Sequence, residues 1–251
     1  MIVEQTELSD KKPCIHCGAL LAMDCKYCNY CGISQSATIQ LVFEEKWMLI
    51  KQAALFYLLD VIVCGLALFD AFQSFSWLVL FDAFMALTAI GFFALNWQDN
   101  KQLLIWKNFS VRKLAAYGAI AMTGSLLVHY SVGWLNVTFY SKDVYYYNFF
   151  EQFGYGKALL IFFTAIFPAL FEELGYRGYL LQTLLKVVDK QQAIYISAFL
   201  FAIIHLSFIS LFWLIPFALF LGYTRVRENT IWYGVFFHFC FNLTVCLMEL
   251  L

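Results

Sequence analysis

Long apolar segments constrain the fold of this chain more strongly than any other feature. A helix needs about 20 predominantly apolar residues to cross a bilayer. The chain is 63% hydrophobic and only 13% charged, whereas soluble domains are roughly 25% charged, so it has too few polar residues to cover a soluble core. Its apolar segments lie at about 50–70, 76–97, 114–135, 157–185, 191–207, 208–224 and 230–250. The sequence therefore predicts an all-α polytopic protein with about seven transmembrane helices in a lipid bilayer.

The basic residues between these segments predict the orientation of the helices. They concentrate in every second loop, as Lys101, Lys107, Arg112 and Lys113, then Lys186 and Lys190, then Arg225 and Arg227. Loops rich in Lys and Arg face the cytoplasm, which places the N-terminus on the same side. The net charge of -1 provides no basic field, so we expect no nucleic-acid partner.

Residues 1–36 are expected to form a small cytoplasmic zinc ribbon, followed by a linker at 37–49. Two Cys-x-x-Cys-Gly motifs contain Cys14 and Cys17, then Cys28 and Cys31, and this spacing is typical of one tetrahedral structural zinc site. Cys25 also stands three residues before Cys28, but Gly32 follows Cys31 as Gly18 follows Cys17, which favours the Cys28/Cys31 pair. Disulfides are the alternative; an odd number of cysteines in a reducing compartment favours metal. We expect the ribbon to be structural, with a cytoplasmic protein partner as a second role.

The fourth apolar segment contains three charged residues, Glu172, Glu173 and Arg177. Charges inside a membrane helix are costly and are functional candidates. Glu173 and Arg177 have i, i+4 spacing and can form an ion pair, while Glu172 is rotated by about 100° and points elsewhere. One carboxylate is therefore expected to be neutralised and the other to be available for chemistry. Asp60 and Asp82, inside the first two segments, are expected to bond to neighbouring helices, with a role in substrate access as the alternative.

Two further segments place polar residues at comparable depth. Phe201 and His205 share one face of the fifth helix, and His238 and Asn242 share one face of the seventh. With a rise of 1.5 Å per residue, His205 is expected about 22 Å into the membrane, near Glu172. Hydrogen bonds between helices would be the structural explanation. The chemical one is hydrolysis, in which a glutamate acts as general base and His and Asn stabilise an oxyanion. The same groups could instead hold a divalent metal at Glu172, His205 and His238.

The motifs EExxxR, FxxxH and HxxxN, in this order on successive helices, resemble those of the CPBP family of CAAX proteases and bacteriocin-processing enzymes, also called Abi. The resemblance covers about 157–251, with 50–156 as additional transmembrane helices before it. It implies that Glu172 activates water with the help of His205, and that His238 and Asn242 stabilise the oxyanion. It also implies that Glu173 and Arg177 shape the site and that Phe201 packs beside it. It leaves open whether the active site contains a metal ion.

These features lead to a ranked set of functions. The first is an intramembrane endopeptidase of a bacterial cytoplasmic membrane that cleaves a membrane-associated protein or peptide. The second is a non-catalytic immunity or scaffold protein that recruits a partner through the zinc ribbon. A small-solute or proton transporter is third, because such folds often contain internal repeats and this chain shows none.

Overall fold

The computed structural model describes residues 11–35, 37–107, 109–140 and 145–251. The chain divides after Lys51 into two compact units, the second of which is Gln52–Leu251. The N-terminal ribbon contains two short antiparallel strands, β1 (Lys11–Pro13) and β2 (Leu20–Ala22), with Lys12 opposite Leu21.

Seven long helices make up most of the described chain. They are α1 (Ala37–Leu66), α2 (Phe75–Leu95), α3 (Val111–Tyr140), α4 (Gly156–Val187), α5 (Lys190–Ile203), α6 (Leu211–Glu228) and α7 (Trp232–Leu250). Short helical pieces at Asp70–Phe72, Trp97–Asn100, Lys101–Leu104 and Tyr147–Phe150 lie between them. Each long helix overlaps one of the apolar segments in the sequence. The segment 37–49, expected as a linker, is instead the first part of α1.

Four helical stretches are long and apolar enough to cross a membrane: Phe43–Leu66, Phe75–Leu95, Gly156–Val187 and Trp232–Leu250. The other three long helices are too short or too polar to be counted among these candidate spans. α5 has 14 residues and is about 21 Å long, which is shorter than the roughly 30 Å hydrocarbon layer. α6 ends in Arg225, Arg227 and Glu228, and α3 contains polar residues, among them Ser125, His129 and Ser131, within its length. Four candidate spans are thus found, and the expectation of seven stays a prediction.

Helix α4 is irregular at the place where the charged residues lie. Two stretches within it, Phe162–Ile166 and Glu173–Leu180, have π-helical hydrogen bonding. Such wide turns are rare and occur frequently at functional sites. Pro168 lies between them and has no N–H to donate to the carbonyl of Thr164, four residues earlier. The second wide stretch begins at Glu173 and includes Arg177. The backbone therefore departs from regular α-helical geometry where these two charged residues lie.

The main core surrounds this second stretch of α4. Tyr176 and Tyr179 on α4 contact Phe56 of α1 edge to face, at centroid distances of 5.6 and 5.3 Å. On the other side Tyr176 contacts Phe201 of α5 at 5.2 Å. All four rings are at most 2% exposed. Because lipid tails are as apolar as these side chains, close van der Waals packing holds the helices together. The aromatic contacts therefore fix the position of α4 within the bundle.

The start of α7 is anchored by polar contacts. Thr230, just before α7, donates from Oγ1 to the carbonyl of Leu103 at 3.0 Å, and the Trp232 indole N–H donates to the carbonyl of Leu104 at 2.7 Å. Nearby, Lys113 of α3 forms a 2.6 Å ion pair with Glu228 at the end of α6. The Glu228 side chain is only 4% exposed. These contacts fix the helix that carries His238 and Asn242.

Candidate active site and metal centre

Four cysteines of the ribbon form a cluster with the geometry of a metal centre. The sulfur atoms of Cys14, Cys17, Cys28 and Cys31 lie within 4.8 Å of one another. The Cys14–Cys31 and Cys17–Cys28 sulfur distances are both 3.7 Å. Zinc bound tetrahedrally at about 2.3 Å per sulfur requires sulfurs about 3.8 Å apart. The donor set therefore fits a zinc ion, and the choice of Cys28 and Cys31 is confirmed.

The two cysteine pairs lie in matching turns. The N–H groups of Gly18 and Gly32 donate to the carbonyls of Cys14 and Cys28 at 3.0 and 2.8 Å, and both glycines have φ of 74°, which glycine adopts without steric cost. A hydrogen bond from the backbone N–H of Cys17 lowers the pKa of Cys14 to about 6, which favours the thiolate that binds metal. Cys25 lies outside the cluster and donates to the carbonyl of Tyr27 at 2.6 Å.

Glu173 is the centre of a buried charged network. Its Oε1 lies 3.0 Å from Nη1 of Arg177, as the i, i+4 spacing predicts, and 3.1 Å from Nδ1 of His238. The side chains of Glu173 and Arg177 are 0% and 2% exposed. An ionised carboxylate only accepts hydrogen bonds, so Nδ1 of His238 carries the hydrogen of this contact. Glu173 is therefore neutralised and orients His238.

Arg177 is held from the opposite side by α5 and α6. Its guanidinium carbon lies 4.2 Å from the centroid of the Phe201 ring, within the range of a cation–π interaction. Its Nη2 donates to the carbonyl of Ala218 on α6 at 3.4 Å. Phe201 thus packs directly against the ion pair and is a wall of the site.

Gly234 on α7 leaves the space that Glu173 occupies. A Cβ at this position would lie 2.9 Å from Oε2 of Glu173, which is closer than side-chain carbons approach. No sequence pattern singles out this glycine, because the contact joins α7 to α4. Any larger residue here has to displace the carboxylate.

Glu172 has a different environment from its neighbour. Its side chain is 23% exposed, and its Oε2 lies 3.9 Å from Nε2 of His238. His238 therefore stands between the two glutamates, with one ring nitrogen toward each. Glu172 also lines a cavity with about 40 Å³ of space open to water. This carboxylate has room for water beside it, whereas Glu173 does not.

His205 lies just past the end of α5. The helix ends at Ile203, Leu206 has a positive φ of 50°, and His205 is exposed. The depth of about 22 Å expected from the sequence assumed that the helix continues through His205, and the structure differs on this point. Nδ1 of His205 contacts the carbonyl of Phe201 at 2.9 Å. A carbonyl only accepts, so Nδ1 carries the hydrogen, and in the neutral ring Nε2 is left as an acceptor.

Asn242 donates a hydrogen bond to the irregular backbone of α4. Its Nδ2 donates to the carbonyl of Thr164 at 2.9 Å, the same carbonyl that Pro168 cannot serve. The amide nitrogen has two hydrogens, so one remains for another acceptor. Asn242 therefore has an observed structural contact in addition to the role that the motif implies.

The catalytic metal expected at Glu172, His205 and His238 stays a prediction. Among the described residues, the Cys14–Cys31 cluster is the one group of three or more His, Cys, Asp or Glu donors with metal spacing. Glu172, His205 and His238 are not grouped in this way, and the proposed reaction uses no metal ion.

Two acidic residues outside the motifs join the site. Asp60 of α1 and Asp82 of α2 line the same cavity as Glu172, and Asp60 is only 2% exposed. The sequence marked both as charges within apolar segments but did not connect them to Glu172. Their convergence depends on how α1 and α2 pack against α4.

One known family matches part of the second half of the chain. Residues 154–244 match the family model described as type II CAAX prenyl endopeptidase Rce1-like. This range includes all of the EExxxR, FxxxH and HxxxN motifs and excludes Asp60, Asp82 and the ribbon. Searches among curated proteins and among solved structures returned no match.

Proposed function

We propose that this protein is an intramembrane endopeptidase, because residues 154–244 match the Rce1-like family model. It hydrolyses a peptide bond in a membrane-associated protein or peptide. The observation that carries the proposal is the unequal state of the two adjacent glutamates. Glu173 is buried and paired, while Glu172 is partly exposed beside a cavity.

Glu172 is the general base in this proposal. It takes a proton from a water molecule as the water oxygen attacks the carbonyl carbon of the scissile peptide bond. The proton then passes to the leaving nitrogen as the carbon–nitrogen bond breaks. General acid–base catalysis of this kind contributes about 10²–10⁴-fold. The accepting Nε2 of His205 is the second base, which assists the water.

His238 and Asn242 stabilise the oxyanion that forms on the attacked carbonyl oxygen. With Nδ1–H bonded to Glu173, His238 can donate from Nε2 only when it is an imidazolium. That form makes the network neutral, because Arg177 and His238 then balance Glu172 and Glu173. Asn242 donates its second amide hydrogen. One such donor is worth roughly 3–4 kcal/mol in known enzymes.

The remaining helices complete a seven-span protein in this proposal, with the N-terminus and the ribbon in the bacterial cytoplasm. The basic loops support this orientation.

A second candidate function is recruitment of a cytoplasmic protein by the ribbon. The ribbon exposes several apolar side chains, among them Met23 (59%) and Tyr30 (77%), and exposed apolar groups are common in protein interfaces.

One comparison separates the two functions. Full-length protein in vesicles is given a prenylated CAAX peptide, and Glu172→Ala is compared with the double variant Cys14→Ser/Cys17→Ser at equal expression. We expect Glu172→Ala to abolish cleavage and the ribbon variant to retain it. Full cleavage by Glu172→Ala contradicts the endopeptidase proposal. Loss with the ribbon variant alone supports the recruiting function.

A further inference from the structure

Helix α6 supplies no residue to the three motifs, yet it contacts both partners of Glu173. The ring of Phe217 lies 5.0 Å from the imidazole of His238, measured between centroids, and the two planes meet at 83°. The next residue, Ala218, accepts the 3.4 Å hydrogen bond from Nη2 of Arg177. Phe217 and Ala218 are 6% and 1% exposed. Two consecutive buried residues of α6 therefore hold the two side chains that surround the Glu173 carboxylate.

Hydrogen bonding alone does not fix the imidazole of His238. Its Nδ1 lies 3.1 Å from Oε1 of Glu173, but its Nε2 is 3.9 Å from Oε2 of Glu172, which is beyond hydrogen-bonding distance. The torsion that turns a histidine ring about its Cβ is broad, so the ring can swing about its one hydrogen bond unless neighbouring side chains prevent it. The direction of Nε2, the donor in the proposed reaction, therefore depends on packing.

Two phenylalanine rings supply this packing. Phe201 lies 6.3 Å from His238 at 84°, and Phe217 lies closer, at 5.0 Å and 83°. The two phenyl rings are nearly parallel to each other, with 24° between their planes. Perpendicular ring contacts are favourable, and a ring in a close-packed interior cannot turn without displacing its neighbours. Phe201 also carries Arg177, so Phe217 is the nearer wall of the imidazole.

We propose that Phe217 is a positioning residue, which holds His238 so that Nδ1 meets Glu173 while Nε2 faces the side of Glu172. The inference rests on the proposed endopeptidase function and adds to it a residue outside the motifs. Phe217 touches neither the water nor the substrate, and its effect on the reaction passes through His238. A displacement of about 1 Å in a catalytic group can cost roughly 10²-fold in rate. Loss of this wall should therefore lower the rate as well as the stability.

Packing of α6 against α7 is the alternative role of Phe217, because its ring also contacts Phe237 and Phe241 at 5.7 and 4.8 Å. Phe220, three residues further along α6, separates the two roles. It contacts the same Phe237 ring at 4.5 Å, and no ring contact between Phe220 and His238 occurs in the described part of the chain. Phe220→Leu is therefore a matched control, which loosens the same pair of helices without removing a wall of the imidazole.

The first test observes the ring directly and needs no substrate. The chain has only four histidines, so ¹H–¹⁵N NMR of the full-length protein in detergent micelles can resolve their imidazoles, and His238→Gln identifies the signals of His238. We expect one sharp set in the wild type, with a hydrogen on Nδ1, and the same in Phe220→Leu. In Phe217→Leu the set should broaden or split, because the ring gains orientations.

Three results of the NMR test would overturn the proposal. The first is more than one set of His238 signals in the wild type. The second is a single sharp set in Phe217→Leu with the Nδ1 hydrogen retained. The third is equal broadening in Phe220→Leu, which would assign the effect to general packing of α6 on α7.

The second test asks whether the orientation of the ring matters for cleavage. With a prenylated CAAX peptide, Phe217→Leu should lower kcat by roughly 10- to 100-fold with little change in KM, whereas Phe220→Leu should keep a kcat near that of wild type. Phe217→Met fills the space with a flexible apolar chain; it should fold where the leucine variant does not and should still lose kcat. Equal kcat in Phe217→Leu and Phe220→Leu, or wild-type kcat in Phe217→Met, would overturn the proposal.

A double variant shows whether the effect passes through His238. In a His238→Ala background, Phe217→Leu should cause no further loss of the remaining cleavage, since residues that act as a unit are not additive. A further loss as large as that in the wild-type background would overturn the proposal. Full cleavage by Glu172→Ala contradicts the endopeptidase proposal instead, and the NMR comparison still decides whether Phe217 holds the ring.

Discussion

Replacing Gly234 by alanine tests the buried network in a quantitative way. The new Cβ would lie 2.9 Å from Oε2 of Glu173, while ordinary contacts begin at 3.4 Å, so the carboxylate has to move by about half an ångström. Arg177 and His238 hold that carboxylate at 3.0 and 3.1 Å. Loss of one partner from a buried ion pair costs roughly 3–5 kcal/mol, and alanine recovers about 1 kcal/mol of helix propensity.

We therefore expect Gly234→Ala to lower the free energy of unfolding by about 2–4 kcal/mol. For a chain of this length that corresponds to a fall of roughly 4–16 °C in the melting temperature, measured by tryptophan fluorescence in detergent. Peptide cleavage should fall as well, because His238 moves with Glu173. Gly124→Ala on α3 is the matched control, since its Cβ would meet Phe241 at an ordinary 3.7 Å. If Gly234→Ala is as stable and active as Gly124→Ala, the network does not position the site.

Three further predictions concern other parts of the chain. Cys17→Ser should abolish the bound metal and unfold the ribbon, whereas Cys25→Ser should keep one metal per chain, as measured by metal analysis. Asn242→Ala should lower the melting temperature, since it removes a partly buried hydrogen bond to the backbone of α4, worth roughly 0.5–1.5 kcal/mol. The double variant Asn242→Ala/Pro168→Ala, in which residue 168 has an N–H to donate to the Thr164 carbonyl, should regain stability but not cleavage. If it also regains cleavage, the role of Asn242 is structural only. Glu228→Gln should also lower the melting temperature, because the buried Glu228 carboxylate loses its ion pair with Lys113 of α3.

Local patterns in the sequence predict several features well, and the physical reason is the same in each case. The ribbon cysteines lie close together in the chain, with glycines that mark their turns. The ion pair of Glu173 and Arg177 needs only a spacing of four residues. The seven helices follow from apolar length. The segment 37–49 was expected to be a linker, but its residues Glu44, Glu45 and Lys46 are good helix formers, and α1 includes them.

Features that depend on packing between helices could not be read from the sequence. A periodicity of 3.6 residues does not reveal the π-helical stretches of α4. The meeting of Asp60 and Asp82 with Glu172 depends on the arrangement of α1 and α2, and the close approach of Gly234 to Glu173 joins two distant segments. His205 was expected deep in the membrane because an apolar run does not show where a helix ends.

The division of labour between the two glutamates is the central claim, and turnover by conservative variants tests it most directly. Purified Glu172→Gln and Glu173→Gln are compared with wild type for kcat, KM and melting temperature on a prenylated CAAX peptide. We predict that Glu172→Gln folds normally and loses about 10²–10⁴-fold in kcat with little change in KM. Glu173→Gln should be less stable, because Arg177 loses its buried partner. Wild-type turnover by Glu172→Gln would contradict this division of labour.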